Sequence, residues 1–210
     1  MVALRGVTFK VKRGDFVSII GPSGSGKSTL LNLIGALDRP TKGKVIIDGV
    51  NVINLSDGAL AKLRNRKIGF VFQSFNLINS MTALENVELP LVARGEPKER
   101  RRSKALKLLE SLGVGPVANR LPSQMSGGQQ QRVAIARALI ADPEIILADE
   151  PIGSLSGEDT KVVMDILEDL NRRAGKTLII VTHNPEVAAR ARVVIRIRDG
   201  KVMEIKESEV

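Results

Sequence analysis

The chain predicts an α/β fold: a mainly parallel sheet covered by helices, with antiparallel strands at one edge and a helical subdomain inserted in the core. Three observations carry that prediction. Short apolar runs bounded by turn residues alternate with helical patterns, as expected of parallel strands joined by crossover helices. Near the C-terminus, Asp199-Gly200 separates two further apolar runs and reads as a hairpin turn that reverses the chain. Between about Asn76 and Gln124 the strand signal fades and a helical pattern replaces it, punctuated at Gly95-Glu96-Pro97 and again at 113–116.

Taken in order, the strands are predicted at 7–11, 16–20, 45–47, 68–72, 145–148, 178–181 and 193–197, with 201–205 returning antiparallel. Helices are predicted at 28–37, 97–112, 128–141 and 158–174. Within the second helix, Ala105, Leu106, Leu108, Leu109 and Leu112 share one face and are assigned to core packing. The helical subdomain is placed at about 76–141 within a single domain covering 1–210. A chain of 210 residues buries a substantial core but leaves no room for a large second module.

Composition excludes several classes. Cysteine is absent, which rules out disulfide and thiol chemistry. No apolar segment approaches the roughly 20 residues needed to cross a bilayer, and no secretion leader is recognisable. The net charge of +9 invites a nucleic-acid reading, but its distribution argues against one. Basic residues are interspersed with acids, and the densest cluster (Lys98, Arg100, Arg101, Arg102, Lys104) opens one amphipathic helix. The only aromatics are five phenylalanines, several inside apolar runs, so base-stacking platforms are scarce and no nucleic-acid partner is expected.

The chemistry concentrates at strand ends. Gly21-Pro22-Ser23-Gly24-Ser25-Gly26-Lys27-Ser28-Thr29 fits G-x-x-x-x-G-K-[ST] directly after a strand and before the apolar stripe of a helix. A glycine-rich turn lets successive amides point inward at phosphate oxygens, and the helix adds its positive end. Lys27 then reaches the outer phosphates of a nucleoside triphosphate and Ser28 holds Mg2+. The run 145–148 ends in Asp149-Glu150, which puts two carboxylates at the same sheet edge. Asp149 is expected to bind the metal through water, and Glu150 to polarise the attacking water. His183 is the only histidine and ends another apolar strand, so it is expected to contact the terminal phosphate or organise water. Gln73 closes the strand 68–72 and is expected to complete the metal shell while linking the helical subdomain to the nucleotide. Ser126-Gly127-Gly128-Gln129 opens a second helix, either as a simple N-cap with permissive glycines or as a second anion site. Because one chain already has a phosphate loop, a second such site suggests the nucleotide of another subunit.

The phosphate loop, Gln73, Met125 to Arg132, the strand ending in Glu150 and His183 together resemble the ATP-binding subunit of an ABC transporter, in order and over nearly the whole chain. The resemblance implies a phosphate-loop NTPase core and a Mg2+-dependent ATPase. It also implies a head-to-tail homodimer, or a pair with a similar subunit, that sandwiches two ATP molecules between the phosphate loop of one copy and Ser126 to Gln129 of the other. Integral membrane permease subunits would contact the region after Gln73, and the chain would sit in the cytoplasm on the inner face of the membrane. Residues 33–41, 70–77 and 82–87 resemble the lipoprotein-release, macrolide-export and cell-division group, which favours export or extraction. The alternative within this resemblance is a nucleotide-dependent regulatory or scaffold module of the cell-division type with little transport. A chromosome-maintenance ATPase would need long heptad arms between Thr29 and Ser126, and that stretch is too short.

Two departures from the family pattern set further expectations. The family usually begins earlier, with a strand and an aromatic that stacks on adenine. Here Val2 to Gly6 supply neither, and loss of a stacking platform is expected to weaken nucleotide binding by about 1–3 kcal/mol and relax base discrimination. After Glu150 the usual Leu-Asp pair reads Leu155-Ser156, so the loop aspartate is replaced by serine. Slower hydrolysis is expected from that change, with Lys27, Glu150 and His183 preserving the reaction.

Overall fold

The computed structural model describes residues 2–208 except Ser156. Its main sheet has six strands: β1 (Phe16–Ile20), β4 (Ile68–Phe72), β5 (Ile145–Asp149), β6 (Thr177–Thr182), β7 (Val193–Arg198) and β8 (Lys201–Glu207). They lie in the order β4-β5-β6-β1-β7-β8, all parallel except the antiparallel β7–β8 pair. Short strands β2 (Ile46–Ile47) and β3 (Val50–Asn51) form a separate hairpin.

The inner parallel strands β1, β5 and β6 are mostly apolar because helices cover both faces, whereas β7 alternates and exposes Arg196 and Arg198. Successive side chains of β1 and β6 alternate between two cores. Val17, Ile19, Ile179 and Val181 pack with Leu30 and Leu31 of α1 (Lys27–Ile34) and Leu60 of α2 (Asp57–Lys67). Phe16, Leu178 and Ile180 pack on the other side with Val163, Met164 and Leu167 of α6 (Gly157–Arg172) and Val187 of α7 (Pro185–Ala189). Each fully buried Leu or Ile contributes roughly 1.5–3 kcal/mol of transfer free energy.

A third core belongs to the helical insert. Leu84, Val87 and Leu91 of α3 (Ala83–Val92) meet Ala105 and Leu109 of α4 (Lys98–Ser111) and Val133 and Ala136 of α5 (Gly127–Leu139). Ile135 and Ala138 of α5 pack into the second core instead, so this one helix joins the insert to the sheet. Helix α3 begins with a capping box: Thr82 Oγ1 accepts from the Glu85 amide at 3.2 Å while Glu85 Oε2 accepts from the Thr82 amide at 2.8 Å.

Seven of the eight expected strands form, and β3 is a strand that was not expected. Residues 7–11 form no strand, since no described segment pairs with them, and a strand exists only through its ladder. The run at 45–47 contributes only Ile46–Ile47. Helices α2 and α7 were not predicted, and α3 was expected only as part of the helical stretch 76–124. Helix α2 buries only Leu60 and so has no apolar stripe to read, although Ser56 caps its start and Arg64, Arg66 and Lys67 crowd its end.

Candidate nucleotide site

Strand β1 delivers the phosphate loop at the centre of the sheet. A Cβ placed on Gly21 would lie 2.0 Å from the Ile197 carbonyl oxygen, so β7 leaves space there only for glycine. Gly26 stands at φ +98° just before α1, and a Cβ there would meet the Ala3 carbonyl oxygen at 2.7 Å. No side chain caps α1, so its first-turn amides have no side-chain acceptor within the chain. Lys27 folds over the loop, donating from Nζ to the carbonyl oxygens of Gly21 (2.8 Å) and Pro22 (2.9 Å). Pro22, Ser23, Gly24 and Ser28 are exposed along the loop, Thr29 is half-buried, and the Ser25 hydroxyl is buried without a partner. The Gly200 amide donates to the Ser25 carbonyl at 3.1 Å, so the β7–β8 turn braces the loop from behind.

Strand β5 brings Asp149 beside this loop. Burial pushes its carboxyl above the usual range, a hydrogen bond from Ser28 opposes that, the neighbouring Glu150 charge adds to the rise and Lys27 counters it. Asp149, Ser28 and Lys27 are therefore brought together. A half-buried carboxylate beside a hydroxyl is a hard oxygen donor set that suits Mg2+, with phosphate oxygens and water to complete the shell. No cluster of three or more His, Cys, Asp or Glu side chains occurs among the described residues, so this small set would depend on the nucleotide for its remaining ligands.

Glu150 adopts a left-handed backbone, φ +47°, a conformation that costs a non-glycine residue of order 1–3 kcal/mol. Its amide donates to the Val181 carbonyl at 2.9 Å, which holds the turn against β6. The carboxylate is then fixed at both oxygens: Thr182 Oγ1 donates to Oε2 at 3.1 Å, and His183 Nδ1 lies 2.7 Å from Oε1. Thr182 is fully buried, whereas the His183 side chain is 72% exposed, so the imidazole faces open space above the edge. Sequence reasoning assigned Thr182 no role. A hydroxyl closing an apolar strand immediately before the histidine was the available signal.

Gln73 leaves β4 exposed at the rim. Its amide packs on Gly153, where a Cβ would come within 2.7 Å of Nε2, and its carbonyl accepts from Ser154 Oγ at 3.2 Å. No hydrogen bond joins the Gln73 amide to Ser28 or Asp149 among the described residues. The chain next turns through Phe75 (φ +60°) and Asn76 (φ +51°), whose carbonyls both accept from the Arg137 guanidinium.

Ser126 caps α5 with a second capping box, Oγ accepting from the Gln129 amide at 3.2 Å and Gln129 Oε1 from the Ser126 amide at 3.0 Å. Gly127 is half-buried, and Gly128 is buried directly against the Asp159 carboxylate, which would have to move to admit a Cβ. Gln131, fully buried, donates to the Pro151 carbonyl at 2.5 Å and ties this helix to the segment after Glu150. Within one chain, no described hydrogen bond joins 126–129 to the phosphate loop 21–29. Ser156 lies outside the described residues.

Residues 4–153 match the family model described as ABC transporter. An uncharacterized ABC transporter ATP-binding protein of Thermotoga maritima is 56% identical over 210 residues, covering 99% of this chain and 88% of that protein. The macrolide export ATP-binding/permease protein MacB of Hyphomonas neptunium is 52% identical over 201 residues, 96% of this chain but only 31% of MacB. Among solved structures, the dimeric ABC transporter cassette MJ0796 superposes with a TM-score of 0.92 at 50% identity, covering 99% of this chain and 91% of that one. A dimeric post-hydrolysis state of the same cassette, bound to ADP and Pi, matches with a TM-score of 0.92 at 49% identity.

Proposed function

The chain belongs to the ABC transporter family, and on that premise we propose that it is the ATP-hydrolysing cassette of an export or extraction machine. Two copies close head to tail around two ATP molecules, and separate membrane-embedded subunits use the resulting motion. The observation that carries this reading is the edge where β1, β5 and β6 end. It sets the Lys27 ammonium, the Ser28–Asp149 pair and the doubly held Glu150 around one phosphate cradle.

The uncapped amides of α1 and the 21–26 loop bind the β- and γ-phosphates, and Lys27 exchanges its two carbonyl partners for phosphate oxygens. Ser28 and Asp149, with Gln73, are the residues that would hold Mg2+, which when bound neutralises charge on the phosphate oxygens. Glu150 orients a water for in-line attack and takes its proton on the carboxylate as the γ-phosphorus–oxygen bond breaks, yielding ADP and phosphate. Thr182 and His183 keep that carboxylate aimed, and the exposed His183 ring remains available to the γ-phosphate. Ser126 to Gln129 make no described hydrogen bond to the phosphate loop of their own chain, and their anion-binding end is assigned to the nucleotide of the second copy. MJ0796 is dimeric in both of its solved states, and one of them holds ADP and Pi.

A groove of about 430 Å3 between the sheet and the helical insert, lined by Leu37, Phe70, Phe72, Leu89, Pro90 and Arg137, is the place for a permease segment. No described helix is long and apolar enough to cross a membrane, and this chain spans only 31% of MacB, an ATP-binding/permease protein. We therefore place the chain on the cytoplasmic face of the membrane, held there by its partners.

Purified protein is expected to hydrolyse Mg-ATP with a rate per chain that rises as it dimerises, and Glu150→Gln is expected to remove that turnover while the ATP-bound dimer persists. Dimerisation by ATP with no turnover sensitive to Glu150→Gln would remove the enzymatic assignment.

A further inference from the structure

We propose that Arg137 is a positioning residue: it holds the loop 73–76 in the shape that sets Gln73 beside the segment after Glu150. The proposal rests on the ATPase reading above. Phe75 and Asn76 are consecutive left-handed residues without a glycine, and a bulky aromatic rarely stays in that region unaided. Both of their carbonyls point to one donor: Arg137 Nη2 reaches the Phe75 oxygen at 2.8 Å and Nη1 reaches the Asn76 oxygen. A planar guanidinium suits two acceptors set side by side, where an ammonium would satisfy them one at a time.

Arg137 makes no ion pair among the described residues, so its charge is answered by two peptide dipoles alone. Burial accordingly pushes its pKa down. The loop it holds touches two segments of its own chain, the one just beyond Glu150 and the start of α5. Gln73 packs on Gly153 and bonds to Ser154 just beyond Glu150. The Phe75 ring lies beside Gly127, where a Cβ would stand 3.7 Å from its Cζ. Arg137 and Asn76 also line the groove together, with Phe72 and Pro90.

The test compares the full chain with Arg137→Met, Arg137→Lys and the double variant Arg137→Met/Asn76→Gly. Amide hydrogen exchange at 73–77 is expected to rise about tenfold in Arg137→Met as the loop is released. Its kcat is expected to fall about tenfold with KM for ATP within about twofold, because phosphate binding is left intact. Arg137→Lys recovers part of both. Asn76→Gly, unstrained at that φ, recovers kcat about threefold in the Met background without recovering the melting temperature. Unchanged exchange at 73–77 in Arg137→Met would overturn the proposal. So would a fall in kcat that tracks the melting temperature and ignores Asn76→Gly, since that pattern marks a purely structural arginine. If the wild-type chain shows no turnover, the ATPase reading fails, and the exchange measurement alone still decides whether Arg137 holds the loop.

Discussion

Two helix starts that follow or carry glycines, α1 after the phosphate loop and α5 after Ser126, end in opposite states. Helix α1 follows a left-handed glycine and has no side-chain cap, so its first-turn amides lack a side-chain acceptor. Helix α5 carries a complete capping box, with Ser126 and Gln129 satisfying each other. An uncapped start is incomplete until an anion arrives, whereas a capped one is folded and stable in advance. The loop at α1 is thus suited to capturing a triphosphate by itself. The α5 start can add grip only to a phosphate already held by something else.

Substitutions at these two ends can break or sharpen that contrast. The largest effect is expected from Glu150→Gln, which should cut phosphate release about 10^3-fold while ATP-dependent pairing survives, as sedimentation would record. Next, Lys27→Ala should weaken ATP binding about 10^2-fold by calorimetry on the loss of charge-assisted bonds worth about 1.5–3 kcal/mol. Ser126→Ala should leave the affinity of the single chain within about twofold and weaken pairing instead. Equal losses of single-chain affinity in the two variants would erase the distinction.

Smaller effects bear on stability. Loss of the Ser126 cap should cost about 1 kcal/mol and lower Tm by about 2–4 °C, whereas no equivalent cap exists at α1 to be lost. Asp149 is the least dramatic probe. Burial raises its carboxyl above the ordinary 3.8, so the folded chain holds that proton more firmly than the unfolded chain does. Its contribution to stability is therefore full below 3.8 and is lost as pH rises through the folded value. Asp149→Asn should raise the Tm of nucleotide-free protein at neutral pH by about 1–2 °C, with the gain vanishing in acid.

Much of the sheet was legible because parallel strands buried on both faces show as continuous apolar runs, as in β1, β5 and β6. Placement of Lys27, Asp149, Glu150 and His183 on one edge followed from where those runs stop. Residues 7–11 misled because alternation describes a surface that fits a ladder but cannot supply the neighbouring strand. Thr182 escaped notice because its value lies in a single bond to Glu150, and Arg137 because its acceptors become acceptors only once residues 75 and 76 turn left-handed. Both depend on contacts between residues far apart in the chain, which periodicity does not encode.

The order of the strands has a mechanical consequence. β1, which carries the triphosphate cradle, is clamped by neighbours on both sides, whereas β4, which carries Gln73, is an outermost strand with one neighbour. A force applied at Gln73 therefore enters at the margin of the sheet, three strands away from the one that bears the cradle.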